Sequence, residues 1–468
     1  MRTAAVLLLA LTVSCRPAAL RDPVIPDIDR FVNDLLQRLP EVPSVALSIV
    51  RDGKPYYTRV YGRSGGTAYY IGSTTKAYTG LACAVLAQRG QLDLDAPIGK
   101  YLPEVTGPAG EVTLRRYLTH TSEIDNDAIT FRTAFSGEHT ASLLMAVLSE
   151  SKPGKPGFSY DNLGYVVASL VIERVTGKRW QDALDDLVFT PLGMNQTTAY
   201  MSEAARWRMA TPYAITRTGE MAPLGFMKND RMMHAAGGIV TTPDDVNRWL
   251  AANINQETLP RAAYGETHRQ QVATKIDRGP FKGHGYGFGW YQAELNGEMV
   301  LFHGGGFEGW RSWFSFMPGS RIGVGTMFNA SVPLSVSTLI SAYAYDRILG
   351  KSDIEQIYAA ELAKLDKQAE DAKARYIADA AKRAQRPWML ANPNASYTGR
   401  YENPLYGTLT IEERGDELWA SIGGLSSVLE AFTEKESARV ELIPGAGEVL
   451  RFGENAIMWR ESRFERRP

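Results

Sequence analysis

Two serines in this chain stand three residues ahead of a lysine: Ser73 and Lys76 in "IGSTTKAYTG", and Ser149 and Lys152 in "LSESKPGKPG". On a helix, residues at that spacing share a face, so an uncharged amine can take the hydroxyl proton and leave an oxygen able to attack a carbonyl carbon. The pattern alone is expected by chance in a chain this long, and the second copy illustrates it. Ser149 closes a helical stretch and runs into Pro153 and Pro156, so no helix follows to hold the lysine under the serine. A third serine, Ser64 in "GRSGG", fits the G-x-S-x-G elbow by its letters. That elbow needs a strand, a sharp turn and then a helix, whereas "TAYYIG" reads as a strand; Gly62 to Gly66 is expected to be a glycine-rich hairpin turn.

Ser73 has the missing context. "STTKAYTGLACAVLAQRG" predicts a helix with Ser73 in its first turn and Lys76 on the same face. Free N–H groups and the positive end of the dipole favour an oxyanion there and disfavour a charged lysine. The same residues also read as a helix-capping serine beside a solvated lysine.

The elements that must position this pair begin with a helix from about Pro26, with Ile28, Phe31, Leu35 and Leu36 near one face. Two strands follow, joined at Asp52-Gly53. From Leu81 to roughly Leu250 the pattern is mostly helical, punctuated by Pro103, Pro108, Pro153, Pro156 and Pro191. "GYGFGWYQAELNGEMVLFHGGG" and "GWRSWFSFMPGSRIGVGTMFN" then return to strands, with a tight turn at Asn296-Gly297. Strands at both ends with helices between them predict an α+β fold whose terminal segments share one antiparallel sheet. Residues 353 to 386 carry Ile354, Tyr358, Leu362, Leu365, Ala369, Ala372 and Tyr376 at helical spacing and stop before Pro387. Beyond them, short alternating strands predict a small β-domain or partial barrel. The expected organisation is a leader over 1–22, a main domain over 23–350, a helical linker over 351–390 and the β-domain over 391–468.

With 468 residues, 44% of them hydrophobic, the chain has ample material for two cores. Its 51 Lys and Arg balance 52 Asp and Glu, which gives no footprint for nucleic acid and points to a small molecule or a protein surface as partner. "MRTAAVLLLALTVSC" reads as a secretory leader too short to span a bilayer. Cys15 also ends a loose lipoprotein box, so lipidation of Cys15 and ordinary cleavage nearby both remain open. Either route predicts export, to the periplasm or the medium, with membrane attachment only through a lipidated Cys15. Cys83 is the other cysteine, so the mature fold cannot rest on an internal disulfide. His120, His139, His234, His268 and His284 show no metal-ligand spacing, and no metal or nucleotide cofactor is expected.

Two further motifs lie downstream: Tyr160-Asp161-Asn162 ahead of an apolar helix, and His303-Gly304-Gly305 at the end of a strand. S-x-x-K, Y-x-N and H-x-G in this order resemble the serine β-lactamase and penicillin-binding superfamily. The resemblance is to its branch of class C β-lactamases, DD-carboxypeptidases, D-aminopeptidases and β-lactamase-fold esterases. "QLDLDAPIGKYLPE", "VTLRRYLTHTSEI", "HAAGGIVTTPDDVNRWL" and "GYGFGW" extend it from about residue 27 to 347. It implies Ser73 as acylated nucleophile, Lys76 as its proton partner and Tyr160 as a residue sharing base and acid duty, its phenol favoured as a base by positive charge on Lys76. It further implies Asn162 as a group orienting Lys76 and substrate, and an oxyanion hole from the N–H groups of Ser73 and Gly306, with Gly304 and Gly305 letting substrate backbone lie close. Three departures stand out. His303 replaces the lysine of the common K-T-G motif, Glu123 stands where the family usually has glycine, and Asp161 where it has serine or alanine. A mostly neutral imidazole shifts the expectation toward an exported esterase or D-residue peptidase. A β-lactamase or D-alanyl-D-alanine carboxypeptidase is the alternative, and a penicillin-binding sensor or non-catalytic binding protein the alternative of another class. The C-terminal domain resembles the lipocalin-like extensions of some family members.

Overall fold

The computed structural model describes residues 22–215 and 220–468. The expected leader, Cys15 included, lies outside the described residues up to its last position, Asp22. That aspartate explains why the first helix, α1 (Val24–Arg38), begins ahead of Pro26: its carboxylate accepts from the Val24 N–H at 3.0 Å and satisfies a free donor of the first turn.

The main sheet has eight antiparallel strands. β1 (Ser44–Arg51) and β2 (Lys54–Gly62) form the first hairpin, and its turn holds Asp52 at φ +54 and Gly53 at φ +71. The other strands come from the second half of the domain: β3 (Val272–Arg278), β4 (Phe281–Tyr286), β5 (Tyr291–Leu295), β6 (Glu298–Phe307), β7 (Trp310–Met317) and β8 (Ile322–Phe328). The order is β2-β1-β8-β7-β6-β5-β4-β3, and Val45 pairs with Phe328, so the two chain ends meet in mid-sheet as an α+β fold requires. β3 has no counterpart in the expected meander. None of its residues is buried, so its apolar signal is faint, and its Lys275, Asp277 and Arg278 suit an outer edge.

One face of the sheet carries α1 and α5 (Leu334–Ile348), where Phe31 stacks on Tyr343 with ring centroids 4.0 Å apart. The other carries α2 (Thr75–Gln88), α3 (Leu163–Thr176) and α4 (Pro243–Asn255). Every residue of α2 from Thr75 to Leu86 is buried, Cys83 among them, because the helix is apolar on all sides and runs through the middle of the domain.

Ser64 lies in a loop that crosses the domain, which corrects the expected hairpin turn. The next short strand, Tyr69–Tyr70, pairs with Val240–Thr241 and not with β2. The loop is held by bonds from Gly66 N–H to the Ser64 hydroxyl and from Thr211 N–H to the Ser64 carbonyl.

The long helix α6 (Ile354–Ala384) buries Ile354, Tyr358, Leu362 and Leu365 against α1 and α5, then runs on with its remaining turns largely exposed. After it come β9 (Gly399–Asn403), β10 (Gly407–Arg414), β11 (Glu417–Ile422), β12 (Leu425–Val428), β13 (Glu430–Ala431), β14 (Ser437–Ile443), β15 (Ala446–Phe452), β16 (Ala456–Trp459) and β17 (Ser462–Arg467). Consecutive strands pair antiparallel, β9 pairs with β17, and the single bent segment Leu425–Ala431 pairs with β11 on one side and β14 on the other. The sheet therefore closes on itself as a small up-and-down barrel with an apolar interior, and no strand edge is left open. It docks on the helical segment Asp127–Ser136. Arg460 pairs with Asp127 at 2.6 Å, and Phe131 packs on Tyr406 and edge-on to Trp459. The Arg132 guanidinium donates to the carbonyls of Pro404 and Leu405. Among the described residues, no helix is long and apolar enough to cross a membrane.

Candidate active site

Ser73 sits half-buried in a tight turn, Gly72–Thr74, that feeds directly into α2. The turn is pinned on both sides: Ile71 N–H donates to the Ile239 carbonyl at 3.0 Å, and the Ser312 hydroxyl of β7 donates to the Ile71 carbonyl at 2.6 Å. Gly72 has φ +53, and a Cβ there would stand 2.7 Å from the Gly306 nitrogen of β6. Only glycine permits this approach, which brings the backbone of Ser73 alongside the backbone of Gly306. At Gly305 an added Cβ would lie 2.0 Å from the Ile71 carbonyl, so the second glycine of H-x-G is required for the same contact. β5 pairs with β6 no further than Tyr291 and Phe302, so beyond that point the edge of β6 facing the cleft has no partner strand.

Lys76 is the second residue of α2 and is fully buried. Its Nζ donates to Asn162 Oδ1 at 2.7 Å and to the Ala236 carbonyl at 3.0 Å, and stands 4.8 Å from the centre of the Tyr160 ring. Burial pulls its pKa down to about 7, against the opposing charge of Asp161. At neutral pH a large share of the amine is therefore unprotonated.

Tyr160 stands at the mouth of the site, 41% exposed, with its hydroxyl near enough to Ser73 to feel it electrostatically. Desolvation raises the phenol pKa and Ser73 lowers it, with a net rise. The resting phenol keeps its proton. Lys76 supplies no fixed positive charge to change this, since with its pKa near 7 it gains and loses its proton around neutral pH.

Asn162 and Asp161 divide two duties at the start of α3. Asn162 occupies the capping position but turns its amide to Lys76, while Asp161 Oδ1 accepts from Gly164 N–H at 3.1 Å and caps the helix instead. Asp161 N–H donates to His120 Nδ1 at 3.3 Å, and the His120 ring lies 4.5 Å from that of Tyr160. His120 thus braces Tyr160 from behind. Glu123 takes φ +57, the left-handed backbone that glycine adopts freely. Its carbonyl accepts from Gly154 N–H and its carboxylate from Gly157 N–H, fastening the loop that leads to Tyr160.

His303 is buried on β6 with its ring 6.0 Å from that of Tyr160. Its Nδ1 is 2.7 Å from the Gly304 carbonyl, which only accepts, so the proton resides on Nδ1. Nε2 is a bare acceptor without a partner among the described residues. Burial, with Lys76 nearby, holds the imidazole pKa well below its ordinary value. His303 is neutral and cannot grip a carboxylate. Gly304 points its open face to Leu334 on the far side of the sheet.

The structure thus gathers Ser73, Lys76, Tyr160, Asn162, His303, Gly305 and Gly306 around one cleft. It also brings in two groups that sequence reasoning left unassigned. The loop His234–Gly238 supplies the Ala236 carbonyl to Lys76, and a backbone acceptor has no side-chain signature. Lys228, from a segment without a motif, packs its amine on the ring of Phe307, the residue after Gly306. Among the described residues no cluster of His, Cys, Asp or Glu is arranged to hold a metal ion.

The family described as Beta-lactamase matches residues 32–344. Penicillin-binding protein 4 of Amycolatopsis lactamdurans is 30% identical over 332 residues, covering 66% of this chain and 86% of that protein. Among solved structures, the octameric penicillin-binding protein homologue from Pyrococcus abyssi shares the fold over 94% of this chain and 99% of its own, with TM-score 0.61 and 22% identity. A D-stereospecific amidohydrolase from Streptomyces sp. is 25% identical with TM-score 0.57, covering 70% of this chain and all (100%) of its own. The chain belongs to the β-lactamase family and is a serine hydrolase of that fold.

Proposed function

We propose that this serine hydrolase works through an acyl-enzyme on Ser73 and acts on small esters or on peptides containing a D-residue. The observation that carries the reading is the fully buried Lys76 beside a protonated Tyr160. The amine, with its pKa pulled down to about 7, is the resting base that accepts the Ser73 proton. Ser73 Oγ then attacks the substrate carbonyl, whose developing oxyanion lies between the Ser73 and Gly306 N–H groups. Tyr160, beside Ser73 and holding its own proton, delivers that proton to the leaving group and is recharged from Lys76. The expected sharing of the base role is thereby refined: Lys76 takes the proton first and Tyr160 gives one. Water enters by the reverse sequence and frees the product.

Neutral His303 supports the preference for esters and D-peptides, since a substrate carboxylate at that end finds no cation. The D-stereospecific amidohydrolase of the same fold supports the D-peptide branch. The β-lactam branch is supported by the likeness to a penicillin-binding protein. We further propose that the chain is exported by its leader; N-terminal sequencing of the mature protein would locate the cleavage. The decisive experiment treats the enzyme with a fluorophosphonate probe and maps the adduct, then compares p-nitrophenyl esters, D-aminoacyl anilides and a chromogenic cephalosporin. An adduct on Ser73 with steady turnover of an ester or anilide is expected. An adduct on another serine overturns the mechanism, and a single burst without turnover marks a sensor.

A further inference from the structure

Lys228 is a second buried amine, behind the Phe307 ring that follows Gly306, and the mechanism leaves it unused. It is 5% exposed. Its Nζ donates to the Ala134 carbonyl and lies 4.3 Å from the centre of the Phe307 ring, 5.1 Å from Phe135 and 5.9 Å from Tyr70. Phe307 follows Gly306 directly, and Tyr70 comes three residues before Ser73, so this aromatic nest borders the reacting centre. No Asp or Glu among the described residues reaches the amine, and desolvation alone pulls its pKa down to about 7. The residues outside the described set, 1–21 and 216–219, contain no Asp or Glu, so the chain supplies no hidden counter-ion there. A buried ammonium without a carboxylate is costly unless something else brings the negative charge.

The position of Lys228 along β6 gives the side of the substrate it meets. The leaving group must lie by Tyr160, which delivers its proton, and Tyr160 lies by His303. Phe307 is four residues further along the same strand, roughly 13 Å away at the rise of an extended chain, and on the other side of Gly306. A group held over Phe307 is therefore on the acyl side of the scissile bond. The barrel braces this end, since Gly424 N–H of its β11–β12 turn donates to the Ser136 carbonyl, two residues from the carbonyl that Lys228 uses.

We propose that the cleft selects esters or amides whose acyl portion carries a carboxylate, and that Lys228 is the residue that binds it. The charge preference is thus reversed end for end: neutral His303 on the leaving-group side, and on the acyl side an amine that a bound carboxylate would hold in its charged form. The inference rests on the acyl-enzyme reading for the direction in which substrate lies.

The test uses the full chain and two p-nitrophenyl esters of equal length, the mono-ester of glutaric acid and its methyl-capped neutral counterpart. Wild type is expected to show at least about tenfold higher kcat/KM on the anionic ester. In Lys228→Met, kcat/KM should fall at least about tenfold further for the anionic ester than for the neutral one, while Lys228→Arg keeps the wild-type order. A purely structural lysine would lower both substrates together. If Lys228→Met does not fold, competition decides: free glutarate should inhibit wild-type hydrolysis of the neutral ester competitively. Equal rates on the two wild-type substrates, an unchanged ratio in Lys228→Met or absence of competition overturns the proposal. Mapping the probe on Ser73 in the same preparations separates the two failures, because an unlabelled Ser73 sinks the acyl-enzyme reading itself.

Discussion

The same four-residue pattern occurs twice in this molecule with opposite outcomes. Ser73 opens onto α2, and Lys76 is enclosed by Asn162, Ala236 and the rings of Tyr160 and Tyr165. Ser149 is the last residue of the helix Ala141–Ser149, its hydroxyl donating to the Met145 carbonyl and accepting from Thr106 N–H, both at 3.0 Å. Lys152 lies exposed in a two-residue strand beside Ile124 and Asp125. Both serines have a lysine three residues on. What differs is the solvent around the amine: Lys152 lies in water, whereas the protein interior pulls the Lys76 pKa down to about 7. Reactivity here belongs to the enclosure, and the four letters only offer the groups.

The harshest way to break this contrast is to remove the two hydroxyls in turn. Ser73→Ala should lower kcat/KM by at least about 10³-fold and abolish labelling. Ser149→Ala should leave both intact while costing about 1 kcal/mol of stability through the lost Met145 and Thr106 bonds. Loss of turnover in Ser149→Ala with a normal melting curve would collapse the contrast. Exchange of the lysines comes next. Lys76→Met should reduce kcat/KM by about 10²–10⁴-fold, and Lys152→Met should change little. Stability carries a second signature. Folded Lys76 loses its proton near pH 7 and unfolded Lys76 near ~10.4, so the unfolded state binds more protons between these values and wild-type stability rises with pH across that window. The difference in Tm between Lys76→Met and wild type should therefore move in favour of wild type from pH 7 to pH 10. A constant difference would mean that the lysine is not depressed.

The pH profile sharpens the point without removing any group. Turnover needs the neutral amine, so kcat/KM should rise through an acid limb centred near pH 7. Asn162→Asp keeps the shape of the side chain but sets a carboxylate 2.7 Å from Nζ, which favours the ammonium. The limb should move to higher pH, with about tenfold less activity at pH 7 and recovery toward pH 9. Equal loss at all pH values would show that Asn162 serves the substrate alone.

The skeleton of the main domain is legible in the sequence because its signals are local: the Asp52-Gly53 turn, the apolar run of α2 and the apolar runs of β7 and β8. β3 is not, since it is short of large apolar residues, with only Val272 and Ile276, and none of it is buried. Ser64 misleads for a related reason. The glycines around it announce a reversal, but the partner of the next strand lies at Val240–Thr241, far along the chain. At the site, the motif residues Ser73, Lys76, Tyr160 and Asn162 are legible as side chains. The Ala236 carbonyl is not, and neither is the division of labour between Asn162 and Asp161, because both depend on which way a loop turns. Closure of the barrel is also a long-range fact: it needs β9 to find β17, 63 residues later at their first residues, Gly399 and Ser462.

The smallest expected effect isolates charge from everything else. Asp161 sits next to Asn162, and its carboxylate is the one group that raises the Lys76 pKa against the dominant effect of burial. Asp161→Asn removes the charge while leaving an oxygen to accept from Gly164 N–H, so the cap on α3 and the placement of Tyr160 should survive. With the negative charge gone, the ammonium keeps its hydrogen bonds but loses its nearby opposite charge, and the pKa of Lys76 drops below its wild-type value. The acid limb should move to lower pH, opposite to Asn162→Asp, and activity at pH 6 should rise about twofold to fivefold over wild type while the plateau above pH 8 stays level. The two variants change neighbouring residues by one formal charge each in opposite senses, so shared damage to the loop cannot mimic the outcome. Should both move the limb in the same direction, the base that titrates near pH 7 is not Lys76, and the contrast with Lys152 would have to rest on the serines alone.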